Sequence, residues 1–149
     1  MTKALCGSEI ADKIKGEFAK GIDETGDDYL LVNSRSLPDI AAYLKDAPGY
    51  EFSYLNCITA IDYKDCFELV YNLVSLKHNH SLILKTRCSN KEGASVPSLT
   101  GLWRGADYQE REIYDLFGIL FEGHPNMKHI LLWDGFNGHP LRKDYYNDA

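Results

Sequence analysis

The sequence lacks a long apolar run and an excess of positive charge. No stretch reaches the roughly eighteen apolar residues that suggest a membrane-spanning helix, so we expect no direct transmembrane segment. The formal net charge is -6 and the pI is about 5.3, which argues against nucleic acid as a partner because phosphate binding favours a basic stripe. Residues 1–10 contain no basic stretch followed by an apolar one. The sequence therefore predicts no secretory signal and an intracellular domain.

Recognisable catalytic and metal-binding motifs are also missing. The four cysteines, at positions 6, 57, 66 and 88, form no Cys-x-x-Cys pair, which argues against a zinc ribbon or a cysteine-held iron–sulfur cluster. We expect them to be reduced and structural. There is no His-Glu-x-x-His, no glycine-rich phosphate loop and no dinucleotide fingerprint. His78 and His80 have a spacing that a strand could use to bind a metal, although in a hairpin turn such residues are more often solvated.

What is present fits one globular domain of 149 residues with 44% hydrophobic content. The helical spacing of Ile10, Ile14 and Phe18 predicts a first helix that ends at Gly21. A second helix is predicted to begin at Pro38 and to stop before residue 48. Strands are predicted at residues 27–32, 50–61, 67–76 and 81–88.

The last three predicted strands are joined by short polar turns, which is typical of an antiparallel meander. We therefore predict an α+β fold with a mixed or antiparallel sheet, helices packed mainly on one face and an extended C-terminal arm. Residues 1–149 are expected to form a single domain. Its α+β core would occupy residues 1–95, and a helix and the arm would occupy residues 96–149.

The segment from Asp107 to Gly118 carries the strongest helix signal. Asp107 and Glu110 have the spacing of a capping box, and Arg111 and Asp115 are four residues apart, so they can form an ion pair across one turn. Gly118 fits the left-handed position that ends a helix. Read alone, the charged run at residues 110–112 predicts a helix cap and surface ion pairs, although its density also suits a partner surface.

The C-terminal segment repeats one tripeptide. Gly-His-Pro occurs at residues 123–125 and again at residues 138–140. Between the two copies, the apolar run at residues 130–133 is predicted to anchor the loop. The charged and aromatic tail at residues 141–146 has no helical periodicity, and it is either a solvated, frayed end or an arm that extends across another subunit, where Arg and Tyr are favoured.

Together these residues resemble the signature of the C-type, thirty-kilodalton (30 kDa) subunit of NADH–quinone oxidoreductase (respiratory complex I) and related complexes. The matching stretches are Ser98-Leu99-Thr100-x-Leu102-Trp103, Ala106-x-x-x-Glu110-Arg111-Glu112-Ile113-Tyr114-Asp115-Leu116-Phe117-Gly118-Ile119, Phe121-Glu122-Gly123-His124-Pro125 and Gly138-His139-Pro140-Leu141-Arg142-Lys143-Asp144-Tyr145. Two positions depart from the family pattern: Tyr108 replaces a common Trp, and Lys128-His129 replaces a basic pair that includes Arg.

The resemblance implies an accessory, non-catalytic role. In this family the subunit binds no flavin, iron–sulfur cluster or quinone of its own. It lies in the hydrophilic arm of the complex and braces the large, D-type subunit beside the cluster-bearing subunits. Its neighbours would supply the NADH/FMN, iron–sulfur and quinone sites for electron transfer coupled to ion translocation. The chain would be cytoplasmic and peripheral on the inner face of the cell membrane, held there through its complex.

The resemblance also implies which residues contact partner subunits. The expected interface residues are Glu110, Arg111, Glu112, Asp115, His124, His139, Arg142, Lys143, Asp144 and Tyr145. None is expected to be catalytic, to bind a cofactor or to ligate a metal. Two alternatives stay open. One is the equivalent subunit of a membrane-bound nickel–iron hydrogenase or of a chloroplast-type or coenzyme F420-type dehydrogenase. The other is a free-standing metal-binding or hydrolytic domain that uses the histidines and acids.

Overall fold

The computed structural model of the chain describes residues 1–146. The helices are α1 (Gly7–Phe18), α2 (Leu37–Asp46) and α3 (Ala106–Phe117), with a short 3-10 turn at Ala19–Gly21. The strands are β1 (Lys3–Ala4), β2 (Ile22–Thr25), β3 (Tyr29–Val32), β4 (Tyr54–Asp62), β5 (Phe67–Ser75), β6 (His80–Cys88), β7 (Ser95–Pro97) and β8 (Leu120–Glu122). Every helix within residues 1–146 is too short or too polar to cross a lipid bilayer.

Six strands form the main sheet, in the order β2-β3-β6-β5-β4, with β1 also paired to β6. Strand β5 pairs antiparallel with both β4 and β6, its neighbours in the sequence, so the predicted meander is confirmed. Strands β1 and β3 run parallel to β6, which makes the sheet mixed. Strands β7 and β8 form a separate parallel pair and lie on either side of α3 in the sequence.

One face of the main sheet forms the core. Along β5 and β6, alternate side chains are buried on this face, and the cross-strand neighbours Tyr71 and Leu84 lie fully buried there. Helices α1 and α2 contribute the apolar stripes Ile10, Ala11 and Ile14, and Leu37, Ile40, Ala41 and Leu44. The same hydrophobic cluster includes residues from both stripes and from the strands. The predicted α+β class, with its helices mainly on one face of the sheet, is confirmed.

Strand β4 begins later than the sequence predicted, because residues 50–53 form the exit from α2. Tyr50 and Glu51 donate their N–H groups to the carbonyl of Ala47, and Phe52 donates to the carbonyl of Leu44. The apolar side chain of Phe52 is buried in the core, although its backbone is not part of a strand. The sequence did not reveal β1, β2, β7 or β8, which have two to four residues each and are too short for an alternating pattern to show.

Helix α3 lies along β4, which is an edge strand of the sheet. Gln109 Oε1 accepts the N–H of Ile58 at 2.7 Å. At the other end of the helix, the ring of Phe117 packs edge-on against Phe67 with the ring centroids 6.1 Å apart. A helix in this position covers backbone groups that an open sheet edge would expose. Contacts near both ends therefore fix α3 to the sheet.

A buried hydroxyl tests the parallel pairing of β3 and β6. Thr86 is fully buried and donates its hydroxyl to the carbonyl of Val32 at 2.9 Å. Thr86→Val keeps the shape of the side chain but leaves that carbonyl without its donor, so we expect the free energy of unfolding to fall by about 1–3 kcal/mol in urea denaturation. Thr59→Val, at an exposed position on β4, should change it by less than about 0.5 kcal/mol. Equal effects at the two positions would contradict this assignment.

Candidate functional site

The candidate site is built from α3 and from residues 123–146, the irregular segment that follows β8 and that we call the arm. Three ionisable residues of α3, Glu110, Arg111 and Asp115, are buried. The predicted cap and surface ion pairs are therefore wrong. Each of these side chains bonds to a neighbouring stretch of backbone, and the predicted pair between Arg111 and Asp115 does not form. Buried charged groups require such partners because desolvation alone would be costly.

Glu110 joins α3 to the turn that precedes it. The helix begins at Ala106 after Gly105, which gives no side-chain cap. The fully buried carboxylate of Glu110 instead accepts the hydroxyl of Ser98 at 2.7 Å and the N–H of Leu99 at 2.8 Å. Burial raises the pKa of Glu110 above its ordinary value, and these two donors offset the rise only in part. The predicted capping box is therefore replaced by a link between α3 and the turn that follows β7.

The first Gly-His-Pro turn packs against the start of α3. The imidazole of His124 is fully buried. Its Nδ1 accepts the N–H of Asn126 at 2.9 Å, so the ring proton lies on Nε2, which donates to the carbonyl of Asp107 at 3.1 Å. The same Nε2 lies 3.9 Å from the carboxylate of Glu110. His124 thus fixes the beginning of the arm through hydrogen bonds at both ring nitrogens.

Arg111 fixes the middle of the arm. Its Nε donates to the carbonyl of Lys128 at 3.1 Å and its Nη2 donates to the carbonyl of His129 at 2.9 Å. The guanidinium carbon also lies 5.8 Å from the ring centroid of Tyr108. This forked geometry needs the planar guanidinium group, which Lys does not provide.

Asp115 makes the densest set of hydrogen bonds in the site. One oxygen accepts the N–H groups of Ile130, Leu131 and Leu132 at 2.9, 2.8 and 3.1 Å. The other oxygen accepts a hydrogen bond from Nδ1 of His129 at 2.6 Å. Burial pushes the pKa of Asp115 upward, but the four donors outweigh it and hold the pKa below its ordinary value. The carboxylate of Asp115 therefore fixes the backbone of three successive arm residues.

The second Gly-His-Pro turn caps the other end of α3. Each of the last four backbone carbonyls of the helix accepts a hydrogen bond. The carbonyls of Tyr114 and Leu116 accept the backbone N–H groups of Gly118 and Leu141. The carbonyls of Asp115 and Phe117 accept side-chain donors, Nδ1 of His139 and Nε of Arg142. These are the carbonyls that a helix C-terminus leaves unpaired. Gly118 has φ +75°, which confirms the predicted left-handed position.

The tail also reaches the main sheet. Lys143 donates its N–H to the buried carboxylate of Asp62 at 2.9 Å, and Lys91 Nζ bonds the other carboxylate oxygen. The guanidinium carbon of Arg142 lies 5.1 Å from the ring centroid of Phe67. The prediction of a frayed end is therefore wrong as far as residue 145. The arm is irregular in structure, but it is bonded to its own domain.

The predicted interface residues divide by exposure. Glu112, Lys143 and Asp144 are exposed, and His139, Arg142 and Tyr145 are partly buried. Glu110, Arg111, Asp115 and the ring of His124 are buried within the chain. The structure describes one chain, so the assignment of all ten residues to an interface stays a prediction. Sequence reasoning missed Asp62, because nothing in the sequence links it to Lys143, which lies 81 positions away.

The apolar run at residues 130–133 also differs from its prediction. Its backbone is held by Asp115, but the side chain of Leu131 is 58% exposed and that of Trp133 is 69% exposed. The run therefore does not anchor the loop through apolar packing. Further along the arm, Leu141 and Tyr146 are exposed as well. We call the exposed side chains Leu131, Trp133, Leu141 and Tyr146 the arm surface. A rigid backbone that displays large apolar groups is suited to binding another protein.

Metal binding at the histidine pair has no support from its surroundings. Nε2 of His78 lies 2.5 Å from Glu51 Oε2, and Nε2 of His80 lies 3.0 Å from the carbonyl of Tyr50. Among residues 1–146, no three His, Cys, Asp or Glu side chains are grouped as a metal site would require.

The fold and the site together describe an α+β domain whose C-terminal arm is bonded to its third helix and exposes several large apolar side chains. The family model described as "Respiratory-chain NADH dehydrogenase, 30 Kd subunit" matches residues 30–149. The chain is 43% identical to the C-type subunit of NADH-quinone oxidoreductase from Roseiflexus sp. (strain RS-1), in a match that covers 95% of this chain and 84% of that protein. It is 36% identical to the C-type subunit from Chlorobium phaeobacteroides, in a match that covers 96% of this chain and 89% of that protein.

A solved structure agrees with these relatives. A chain of the membrane-bound sulfane sulfur reductase, an archaeal respiratory membrane complex, matches with a TM-score of 0.74 and 25% identity, covering 94% of this chain and 85% of that chain. The protein belongs to the family of the 30 kDa subunit of the respiratory-chain NADH dehydrogenase. The resemblance seen in residues 98–145 is thereby confirmed.

Gly118 should be intolerant of any side chain. A Cβ there would lie 2.6 Å from Cδ2 and Nε2 of His139, and the residue has φ +75°. We expect Gly118→Ala to lower the free energy of unfolding by about 1–2 kcal/mol from the backbone alone, and more because His139 must move. Urea denaturation measures the loss. Gly16→Ala, in α1 with no atom within 4 Å of the new Cβ, is the matched control and should be neutral or stabilising. A neutral Gly118→Ala would show that the second turn does not pack on the helix end.

The bonds to Asp115 predict a specific dependence on pH. Because its pKa in the folded chain lies below the ordinary value of 3.8, ionised Asp115 stabilises the fold above that value, and this stability is lost as the pH falls through the folded pKa. Asp115→Asn should therefore be strongly destabilised at pH 7, with the difference from wild type narrowing on acidification. Thermal unfolding from pH 7 to pH 3 measures it. Asp134→Asn, at an exposed position in the arm, should show little difference at any pH. A difference in stability between Asp115→Asn and the wild type that stays constant over this pH range would contradict this account.

Proposed function

We propose that the chain is a non-catalytic subunit in the peripheral part of an NADH–quinone oxidoreductase, where it binds the large, D-type subunit and the cluster-bearing subunits. The observation that supports this most directly is the arm surface. Its apolar side chains are exposed to solvent, while the backbone N–H of Leu131 is held by the buried carboxylate of Asp115 and that of Leu141 by the carbonyl of Leu116.

The energetics favour this use of the arm. Exposed large apolar side chains gain free energy when a partner covers them, at roughly 25 cal/mol per Å² of apolar area. Ordering a mobile loop on binding would cost part of that gain. Here the backbone of residues 128–132 already has hydrogen-bond partners in Arg111 and Asp115. The arm therefore requires little further ordering to bind a partner.

The ten predicted interface residues have two roles in this proposal. Glu112, Lys143 and Asp144 are exposed and would contact a partner directly. Glu110, Arg111, Asp115 and His124 would act from within the chain by holding the arm in place. The partly buried His139, Arg142 and Tyr145 would do both.

The proposal also assigns cofactors and location. The NADH, flavin, iron–sulfur and quinone sites would belong to other subunits, as the family resemblance implies. The chain would be held at the inner face of the cell membrane by its complex. The quinone type is favoured over a hydrogenase because two relatives matched over most of this chain are named as subunits of NADH-quinone oxidoreductase.

The arm surface predicts a defect in assembly without a defect in folding. Trp133→Ser removes an exposed aromatic group, so the isolated chain should unfold as the wild type does. We expect less of it to be incorporated into the membrane-bound complex, measured by blue-native gel electrophoresis and by copurification with the large subunit. Leu76→Ser is the matched control, since Leu76 is 70% exposed but lies in the hairpin between β5 and β6. Full assembly with Trp133→Ser, or an equal loss with Leu76→Ser, would overturn the proposal.

A further inference from the structure

A groove of about 610 Å³ opens at the start of α3. One wall is the turn that carries Thr100 and Arg104, a second is the first turn of α3 with Asp107 and Tyr108, and a third is the first Gly-His-Pro turn with Pro125. Clefts of about 300–1,000 Å³ are the usual size for binding a small ligand. The groove is therefore large enough to receive a long side chain from a neighbouring segment.

Arg104 brings a positive charge to the neighbouring wall, but within residues 1–146 no Lys or Arg side chain forms an ion pair with the carboxylate of Asp107. Oδ1 lies 3.1 Å from Nε2 of His124, but that nitrogen donates its proton to the carbonyl of Asp107. Within residues 1–146, Oδ1 has no hydrogen-bond donor and is buried. The side chain as a whole is nevertheless 38% exposed, so the rest of the carboxyl group faces outward. A cation from outside the chain can reach it.

Tyr108 places an aromatic face beside this carboxylate. Its side chain is 63% exposed, although the guanidinium of Arg111 already lies 5.8 Å from the ring centroid. A guanidinium group is planar, so it can donate to the outward oxygen of the carboxylate and also stack on an aromatic ring. Lys offers a point charge and lacks that shape. The adjacent carboxylate and ring therefore select an arginine over a lysine.

Arg111 links the groove to the segment that carries the arm surface. Arg111 contacts Tyr108 on one side and, on the other, donates to the carbonyls of Lys128 and His129. Two residues later the backbone reaches Leu131, whose side chain is exposed. A partner that covers the arm surface would thus lie next to the groove.

We propose that the groove binds an arginine side chain on an extended segment of a partner subunit, with the guanidinium between Asp107 and the ring of Tyr108. This inference rests on the proposed function, because it requires a partner subunit at the arm. It adds the chemistry of one contact and its position at the start of α3.

Photo-crosslinking in the assembled complex tests the groove separately from the arm. One variant carries Tyr108→p-benzoylphenylalanine and a second carries Trp133→p-benzoylphenylalanine. We expect irradiation of each purified complex to link both positions to partner subunits, and mass spectrometry to place the crosslink from position 108 beside an arginine. A crosslink from position 133 alone, or one from position 108 to a segment without arginine, would overturn the groove and leave the proposed function intact. No crosslink to a partner from either position would count against both.

The charge contribution is tested with Asp107→Asn. Truncating one member of a desolvated charge pair acts mainly on dissociation, so the chain should leave the purified complex about tenfold faster or more. Asp39→Asn is the matched control, because it removes the same charge from the first turn of α2, away from the groove. Equal dissociation rates for the two variants would overturn the proposal.

A third comparison guards against misfolding of Asp107→Asn. Tyr108→Phe keeps the aromatic face and should dissociate as the wild type does, while Tyr108→Leu should dissociate about threefold faster or more because the cation–π contact is lost. Tyr108 is exposed, so neither change should alter urea denaturation of the isolated chain. If the Phe and Leu variants dissociate at the same rate, the ring does not bind a cation and the proposal fails.

Discussion

The carboxylate of Asp115 holds together a part of the protein that has no regular structure of its own. Residues 130–132 pair with no strand and belong to no helix, so their N–H groups would need water or another acceptor. One oxygen of Asp115 accepts all three of them. An apolar residue at this position would pack against the loop but would leave the three donors unsatisfied. The position of Leu131, and of the segment that follows it, depends on this one carboxylate.

Local signals in the sequence predicted much of the fold, but they did not reveal the contacts between residues that are far apart in the sequence. The meander, α2 and the end of α3 at Gly118 follow from periodicity and turn chemistry within a few residues. The burial of Glu110, Arg111 and Asp115 was not predictable in this way, because a run of charged residues on a helix usually faces solvent. Their partners lie on separate segments, between 11 and 18 positions away. Only the folded chain brings these segments together.

The apolar run at residues 130–133 was misread for a related reason. Hydrophobicity predicts burial on average, but an apolar residue can be exposed when the backbone is held by polar contacts. Here Asp115 supplies the holding interaction, and Trp133 remains 69% exposed. Buried charged groups add little net stability compared with apolar packing. Their contribution here is to define one conformation of the arm, which explains why much of the family signature consists of residues that bond within the chain.

Two acidic residues on α3 respond to burial in opposite directions. Glu110 has two donors, and burial outweighs them and raises its pKa. Asp115 has four donors, which outweigh burial and lower its pKa. By linkage, the contribution of Glu110 to stability is greatest at low pH and is lost as the pH rises through its folded pKa, whereas that of Asp115 is greatest above its ordinary pKa. The number of donors around each carboxylate therefore decides the direction in which burial and hydrogen bonding together move its pKa.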